Sequence, residues 1–170
     1  MKSISTLFFV LLTCSAFAQM SVCEPDQIYA DSAAGVYPLP FNLDSNPEGG
    51  INECAIIGQD YSFNFTIKID STFEVSGSEF RVDSLVITQV NGLPNGISYG
   101  CSPANCSFPG NSLSCAVISG TPTADNPLGE YELEIVGELY SGGLNFELSF
   151  PNPLFGDGKY IVNLVNNADA

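Results

Sequence analysis

Apolar and polar residues alternate along much of this chain with a period of two, the spacing of a β-strand that buries one face. The longest such run is 61–69. Tyr61, Phe63, Phe65, Ile67 and Ile69 share one face, and Ser62, Asn64, Thr66 and Lys68 share the other. The first set reads as core and the second as the wetted side. A second strand is predicted over 80–90, anchored by Val82, Leu85 and Ile87 and running into the turn pair Asn91-Gly92. Ile97 to Cys101 and Cys115 to Ser119 are β-prone runs on either side of a loop, which predicts a hairpin. Residues 130–137 alternate again, with Tyr131, Leu133 and Ile135 inward. Their outward partners Glu130, Glu132 and Glu134 read as a solvated strand face, with a cation ladder as the alternative. After Gly142-Gly143 comes Leu144, Phe146, Leu148 and Phe150 at the same spacing, and Tyr160, Val162 and Leu164 make the last strand. Residues 71–77 and 151–158 read as connections. No helical period is present beyond the first residues. Short strands separated by Gly- and Pro-bearing turns predict an all-β fold, an antiparallel sandwich.

Two segments fall outside this pattern. Residues 1–18 have a cationic start at Lys2, a short apolar run and an Ala16-Phe17-Ala18 end, the layout of a secretory signal peptide cleaved before Gln19. That run is too short to span a bilayer, and no later segment is apolar enough to do so. A lipoprotein signal acylated at Cys14 is the rival reading; Thr13 stands where such signals carry a smaller residue. Residues 19–53 hold Pro25, Pro38, Pro40, Pro47 and Gly49-Gly50 and no sustained period. They read as an extended N-terminal arm along an edge of the sandwich, with one strand near 36–43. The predicted organisation is therefore leader 1–18, arm 19–53 and sandwich 54–168.

Charge narrows the partners. The formal net charge is −15, from 4 basic and 19 acidic residues. Loss of Lys2 with the leader makes the mature chain one unit more negative. Such a surface repels phosphate backbones, which argues against nucleic acid and anionic membranes as partners. An extracellular glycan or protein remains. The chain has no His and no Trp. It thus lacks the usual general base of Ser and Cys hydrolases, the His-containing zinc sites, and the strongest stacking surface for sugars. No cofactor is expected. Asp44, Asn46, Glu48 and Gly49 occupy the first, third, fifth and sixth positions of an EF-hand-like calcium loop. The twelfth position is Ala55, Pro47 interrupts the loop and no helices flank it, so a plain turn is the expectation and calcium the alternative.

The mature chain keeps Cys23, Cys54, Cys101, Cys106 and Cys115. Behind a signal peptide these predict structural disulfides, two bridges and one thiol. If Ile97 faces Ile118 in the hairpin, Cys101 lies near Cys115. That bridge is favoured, with Cys106–Cys115 as its competitor and Cys23 pairing with Cys106 or Cys54.

Leu93-Pro94-Asn95-Gly96-Ile97-Ser98 followed by Val117-Ile118-Ser119-Gly120-Thr121-Pro122-Thr123 resembles the LPxGLS…ISGTPT signature of immunoglobulin-like, cadherin-like bacterial surface domains. Gly129-Glu130-Tyr131 is similar to the strand that follows in that family. The cysteine-bearing loop with Phe108-Pro109-Gly110 looks like a subgroup found in secreted proteins of bacteria that use type IX secretion. The likeness covers residues 56–140 best. It implies an immunoglobulin-like sandwich and supplies no catalytic residues. It also implies a C-terminal sorting domain. Phe150-Pro151-Asn152-Pro153 is similar to the opening of one, so either further chain follows Ala170 or export takes another route.

The expected function is a non-catalytic secreted or cell-surface module acting as spacer or as binding and adhesion domain. Tyr99, Asn105 and Phe108 of the cysteine loop are its candidate contact residues. The alternatives are an extracellular carbohydrate-active enzyme or its accessory carbohydrate-binding domain, built on an acid pair, and a strand-exchanging subunit of a surface assembly.

Overall fold

A computed structural model describes residues 23–75, 77–152 and 157–167. The leader, its cleavage point and Cys14 lie outside the described residues. The fold is mostly β, built from antiparallel sheets with no α-helix among the described residues. In chain order the strands are β1 Gly35–Tyr37, β2 Ala55–Ile56, β3 Tyr61–Ile69, β4 Thr72–Val75, β5 Ser78–Arg81 and β6 Ser84–Asn91. There follow β7 Ile97–Ser102, β8 Ser107–Pro109, β9 Ser112–Gly120, β10 Gly129–Ser141, β11 Leu144–Phe150 and β12 Tyr160–Val165.

One sheet has the order β1-β3-β9-β7. The other runs β2-β12-β10-β6-β8, with β11 also on β10. Among the described strands only the short β2–β12 pairing is parallel. The sheets face each other across an apolar core. Phe63, Phe65 and Ile118 of the first meet Leu133, Tyr160 and Val162 of the second. The rings of Phe65 and Tyr160 meet edge-to-face, 5.1 Å apart, a favoured aromatic geometry. All five apolar residues predicted inward on β3 are buried.

β10 is long enough to serve two partners along one edge. Residues 129–133 pair with β12 and 135–141 with β11, while β6 pairs along 134–140 on the other side. The β6 register skips one residue. Gln89 opposes Val136 and Ile87 opposes Gly137, leaving Thr88 as the extra residue of a bulge. The bulge resets the alternation, so Ile87 and Val90 both pack into the core despite their odd spacing.

The structure departs from the sequence pattern in three places. The strand predicted over 80–90 is broken at Val82-Asp83 into β5 and β6, which lie in different sheets. Residues 71–77 are not a plain connection: β4 and β5 form a hairpin in which Phe73 and Phe80 stack at 5.4 Å. Nor is the outer face of β3 fully wet. The N-terminal segment lies over it, where the hydroxyl of Thr66 accepts a 2.8 Å hydrogen bond from the Asp26 backbone N–H. Cys23, Cys115 and Val117 form a small buried cluster under the same cover. The strand expected near 36–43 is the three-residue β1, on the edge beside β3. Its placement is locked from the opposite sheet: Tyr160 reaches across and donates to the carbonyls of Val36 (3.1 Å) and Pro38 (2.7 Å).

Candidate functional site

The loop between β7 and β9 was the first candidate. It does not hang free between the two strands of a hairpin. β7 pairs with β9 in the first sheet, and the chain between them crosses to lay β8 against β6 in the second, with Phe108 opposite Leu85. Phe108 is fully buried. It is a core residue and offers no contact surface, which corrects the expectation for it. Tyr99 packs its ring against the core from a partly buried position. Its hydroxyl donates to the carbonyl of Thr88 at 3.2 Å, the carbonyl that the β6 bulge leaves outside the regular ladder. Asn105 is exposed, but its side-chain oxygen accepts from the Ser107 backbone N–H at 3.2 Å, the pattern of an Asx-turn. The three residues therefore do not present a common surface.

The cysteine pairing differs from the favoured one. The bridges are Cys23–Cys115 and Cys101–Cys106, and Cys54 is free and exposed. Ile97 faces Gly120 rather than Ile118, so Cys101 lies opposite Ala116 and Cys115 opposite Ser102. Residues directly opposite share a face, and successive residues alternate faces. Cys101 is thus on the inner side with Ala116 and Cys106, and Cys115 is on the outer side under the N-terminal segment. A Cys101–Cys115 bond would have to pass through the sheet. The Cys101–Cys106 bridge closes a five-residue step, and the Cys106 carbonyl accepts from the Ile87 N–H at 3.0 Å, tying the loop to β6.

The residues of the 93–98 and 117–123 stretches serve packing. Gly96 has φ +91° and Gly120 φ +146°, conformations that favour glycine. The Gly96 carbonyl accepts the Thr121 N–H at 3.1 Å. Beside them Asn126, buried, acts as a clamp. Its oxygen accepts from the Asn95 N–H at 2.7 Å, and its amide nitrogen donates to the carbonyls of Asn95 (2.8 Å) and Thr123 (2.9 Å). Pattern reading missed Asn126, because a turn of Ala-Asp-Asn-Pro carries no sign of which side chain will be buried. Asp125 next to it is held below the usual carboxylate range by the Thr123 hydroxyl and also by Asn95.

The acidic candidates stay dispersed. In the turn at 42–50, Asn42 accepts from the backbone N–H groups of Asp44 (3.0 Å) and Ser45 (3.2 Å). The Asn46 amide donates inward to the carbonyls of Leu39 (3.1 Å) and Pro40 (2.9 Å), while Asp44 and Glu48 are exposed. The turn is closed by its own hydrogen bonds. Of the glutamates on β10, Glu132 pairs with Lys159 at 2.7 Å and Glu134 accepts from Asn91 at 3.0 Å. Among the described residues no three acidic or thiol groups gather to hold a metal ion.

One concavity does stand out: an apolar cavity of about 120 Å³ between the sheets, bounded by β1 and β3 on one side and by β6, β10 and β11 on the other. No sequence signal announced it, because the Ile and Leu residues that line it are the kind that fill a core. No helix of the described residues is long and apolar enough to cross a membrane. The two disulfides are bonds of an oxidising compartment. Comparison of the chain with family models, with curated proteins and with solved structures gave no match.

Proposed function

We propose that this chain is a secreted or cell-surface immunoglobulin-like β-sandwich module with a non-catalytic role, that of a spacer or a binding and adhesion domain. The observation that carries this reading is the use to which its polar groups are put. Asp60 accepts from Thr121, Asp83 from the Gly142 N–H, Asp70 pairs with Lys68 and Glu132 with Lys159. These groups close turns and strand ends; only the Lys68–Asp70 pair borders a cavity, and there the two charges neutralise each other. Disulfides at the N-terminal segment and at the β7–β8 loop suit a frame that must survive outside a cell. The immunoglobulin-like character is supported by two facing sheets and by the resemblance carried by Gly96 and Gly120 at the β7–β9 end of the first sheet.

The deciding experiment is binding of the purified mature chain to a panel of glycans and polysaccharides, with calcium and with chelator, and with product analysis in parallel. Saturable binding without turnover supports a recognition module, and no binding supports the spacer. Turnover of any polysaccharide overturns the non-catalytic reading. A second reading, a subunit that accepts a strand, is favoured by β11. Its outer edge pairs with no other described strand, and Leu144 and Phe146 on it are 60% and 40% exposed. An open edge of this kind is a template for another strand. A mass by light scattering that stays monomeric as concentration rises counts against it.

A further inference from the structure

Protein interiors are packed to the density of organic crystals, and voids larger than a water molecule are few. The cavity of about 120 Å³ between the sheets is large by that standard. Its walls include Ile67 and Ile69 from the first sheet and Ile87, Ile135, Leu139 and Leu148 from the second, with the ring of Phe73 from the β4–β5 hairpin beside them. Among the described residues, the polar members of the lining are Lys68, Asp70, Thr72 and Asn152, all partly exposed, and these mark its rim. Water in a buried site needs two to four polar partners, whereas an apolar cavity of about 150 Å³ stays dry and takes benzene or xenon. Among the described residues the inner walls are apolar, and the polar groups stand at the rim.

Charge selects among apolar ligands. The rim cation Lys68 is already engaged, with Nζ 2.9 Å from the Asp70 carboxylate and in contact with the Ile69 carbonyl. The chain as a whole is strongly acidic. An anionic head group would meet a repulsive field and no unpaired lysine at the rim. A neutral group avoids both penalties and can hydrogen-bond to a rim of hydroxyl, amide and carboxylate. We propose that the inter-sheet cavity is a binding site for a neutral apolar molecule about the size of one six-membered ring, or for the equivalent end of an uncharged alkyl or aryl chain. The site does not depend on whether the module is an adhesion domain or a spacer, and its test is separate from the glycan panel.

The experiment is methyl NMR of the mature chain, labelled at Ile, Leu and Val, titrated with benzene, 1-hexanol and hexanoate. Benzene and 1-hexanol are expected to shift the methyls of Ile69, Leu139 and Leu148 saturably. Benzene protons should show direct NOEs to the same methyls. Hexanoate should bind at least about tenfold more weakly, the cost of bringing its charge to the site. Filling the cavity by Leu148→Trp or Ile135→Phe should abolish the saturable shifts while the rest of the spectrum stays native. If neither variant folds, the NOEs in the unaltered chain decide. The proposal is overturned by the absence of saturable shifts and NOEs up to ligand solubility, by shifts confined to the exposed methyls of Leu43 and Leu144, or by folded filled variants that bind as the parent does. Equal binding of hexanoate overturns the restriction to neutral ligands.

Discussion

Gly96 and Gly120 are packed backbone against backbone. A Cβ on Gly120 would lie 2.0 Å from the Gly96 carbonyl oxygen, and one on Gly96 would lie 2.2 Å from that of Thr121. Neither obstacle is a side chain that can swing away. Gly120 is thus kept without a side chain by the Gly96 carbonyl and Gly96 by the Thr121 carbonyl, so both glycines answer to backbone packing. Gly120→Ala and Gly96→Ala should each cost about 3 kcal/mol or more, combining the strain of an unfavourable φ with an overpacked contact. Urea unfolding of the two variants checks this, and a loss below about 1 kcal/mol at both positions would show that the junction relaxes.

Cys23 and Cys115 are 92 residues apart in sequence, against five for Cys101 and Cys106. In the chain-entropy account the longer loop stabilises by roughly 4.5 kcal/mol and the shorter by roughly 2 kcal/mol. Replacing Cys23 and Cys115 together by Ala should therefore be the more damaging change. It should also expose the Thr66 side of β3 to faster hydrogen exchange. Non-reducing peptide mapping should recover those two linkages with Cys54 alkylated. Recovery of a Cys101–Cys115 peptide would contradict the face assignment on which the argument rests.

Asn126 serves four partner atoms from a buried position: the Asn95 N–H and carbonyl and the Thr123 carbonyl and hydroxyl. Asn126→Ala leaves the Asn95 N–H and two carbonyls without it, and a buried unsatisfied group costs about 1–3 kcal/mol. A loss of about 2–3 kcal/mol is expected. Asn126→Asp should do no better, since a carboxylate would face the Asn95 and Thr123 carbonyls. Thermal and urea unfolding measure both; an aspartate variant as stable as the parent at neutral pH would refute the clamp.

What the sequence discloses here is set by periodicity. β3, β10 and β12 alternate cleanly because one face of each meets the opposite sheet, while β11 alternates in sequence but covers only its Leu148 and Phe150 end. The four-residue strands β4 and β5 carry Glu74, Glu79 and Arg81 and bury little, so no pattern marks them. The covered outer face of β3 is invisible for another reason. Its cover, the segment from Cys23 to Asp26, has no period of its own and is held by one disulfide and a backbone bond to Thr66. Distance along the strand favours a Cys101–Cys115 bond, but the alternation of faces excludes it at either register. Phe108 reads as a loop residue until β8 is seen to change sheets.

Tyr160 and Tyr61 make alkaline stability the last test. Burial pushes the Tyr160 phenol far above its usual range, with Tyr37 adding to the effect. Tyr61 is raised chiefly by burial, then by Glu53 and Cys54. In the unfolded chain both phenols ionise near about pH 10. The native state therefore keeps protons that the unfolded state gives up. The contribution to stability is complete below about pH 10 and is lost as pH rises beyond it, by up to about 1.4 kcal/mol per pH unit for each phenol. Lys159, raised by its hydrogen bond to Glu132, is fully exposed and adds little. Unfolding free energies between about pH 9 and about pH 11 should fall with a slope approaching two protons. Tyr160→Phe should remove roughly half of that slope, at a cost of about 1–3 kcal/mol for the two carbonyls it no longer caps. A flat profile across this range, with both phenols titrating normally in the folded chain, would mean that neither ring is held as deeply as its contacts with Val36, Pro38 and Glu53 require.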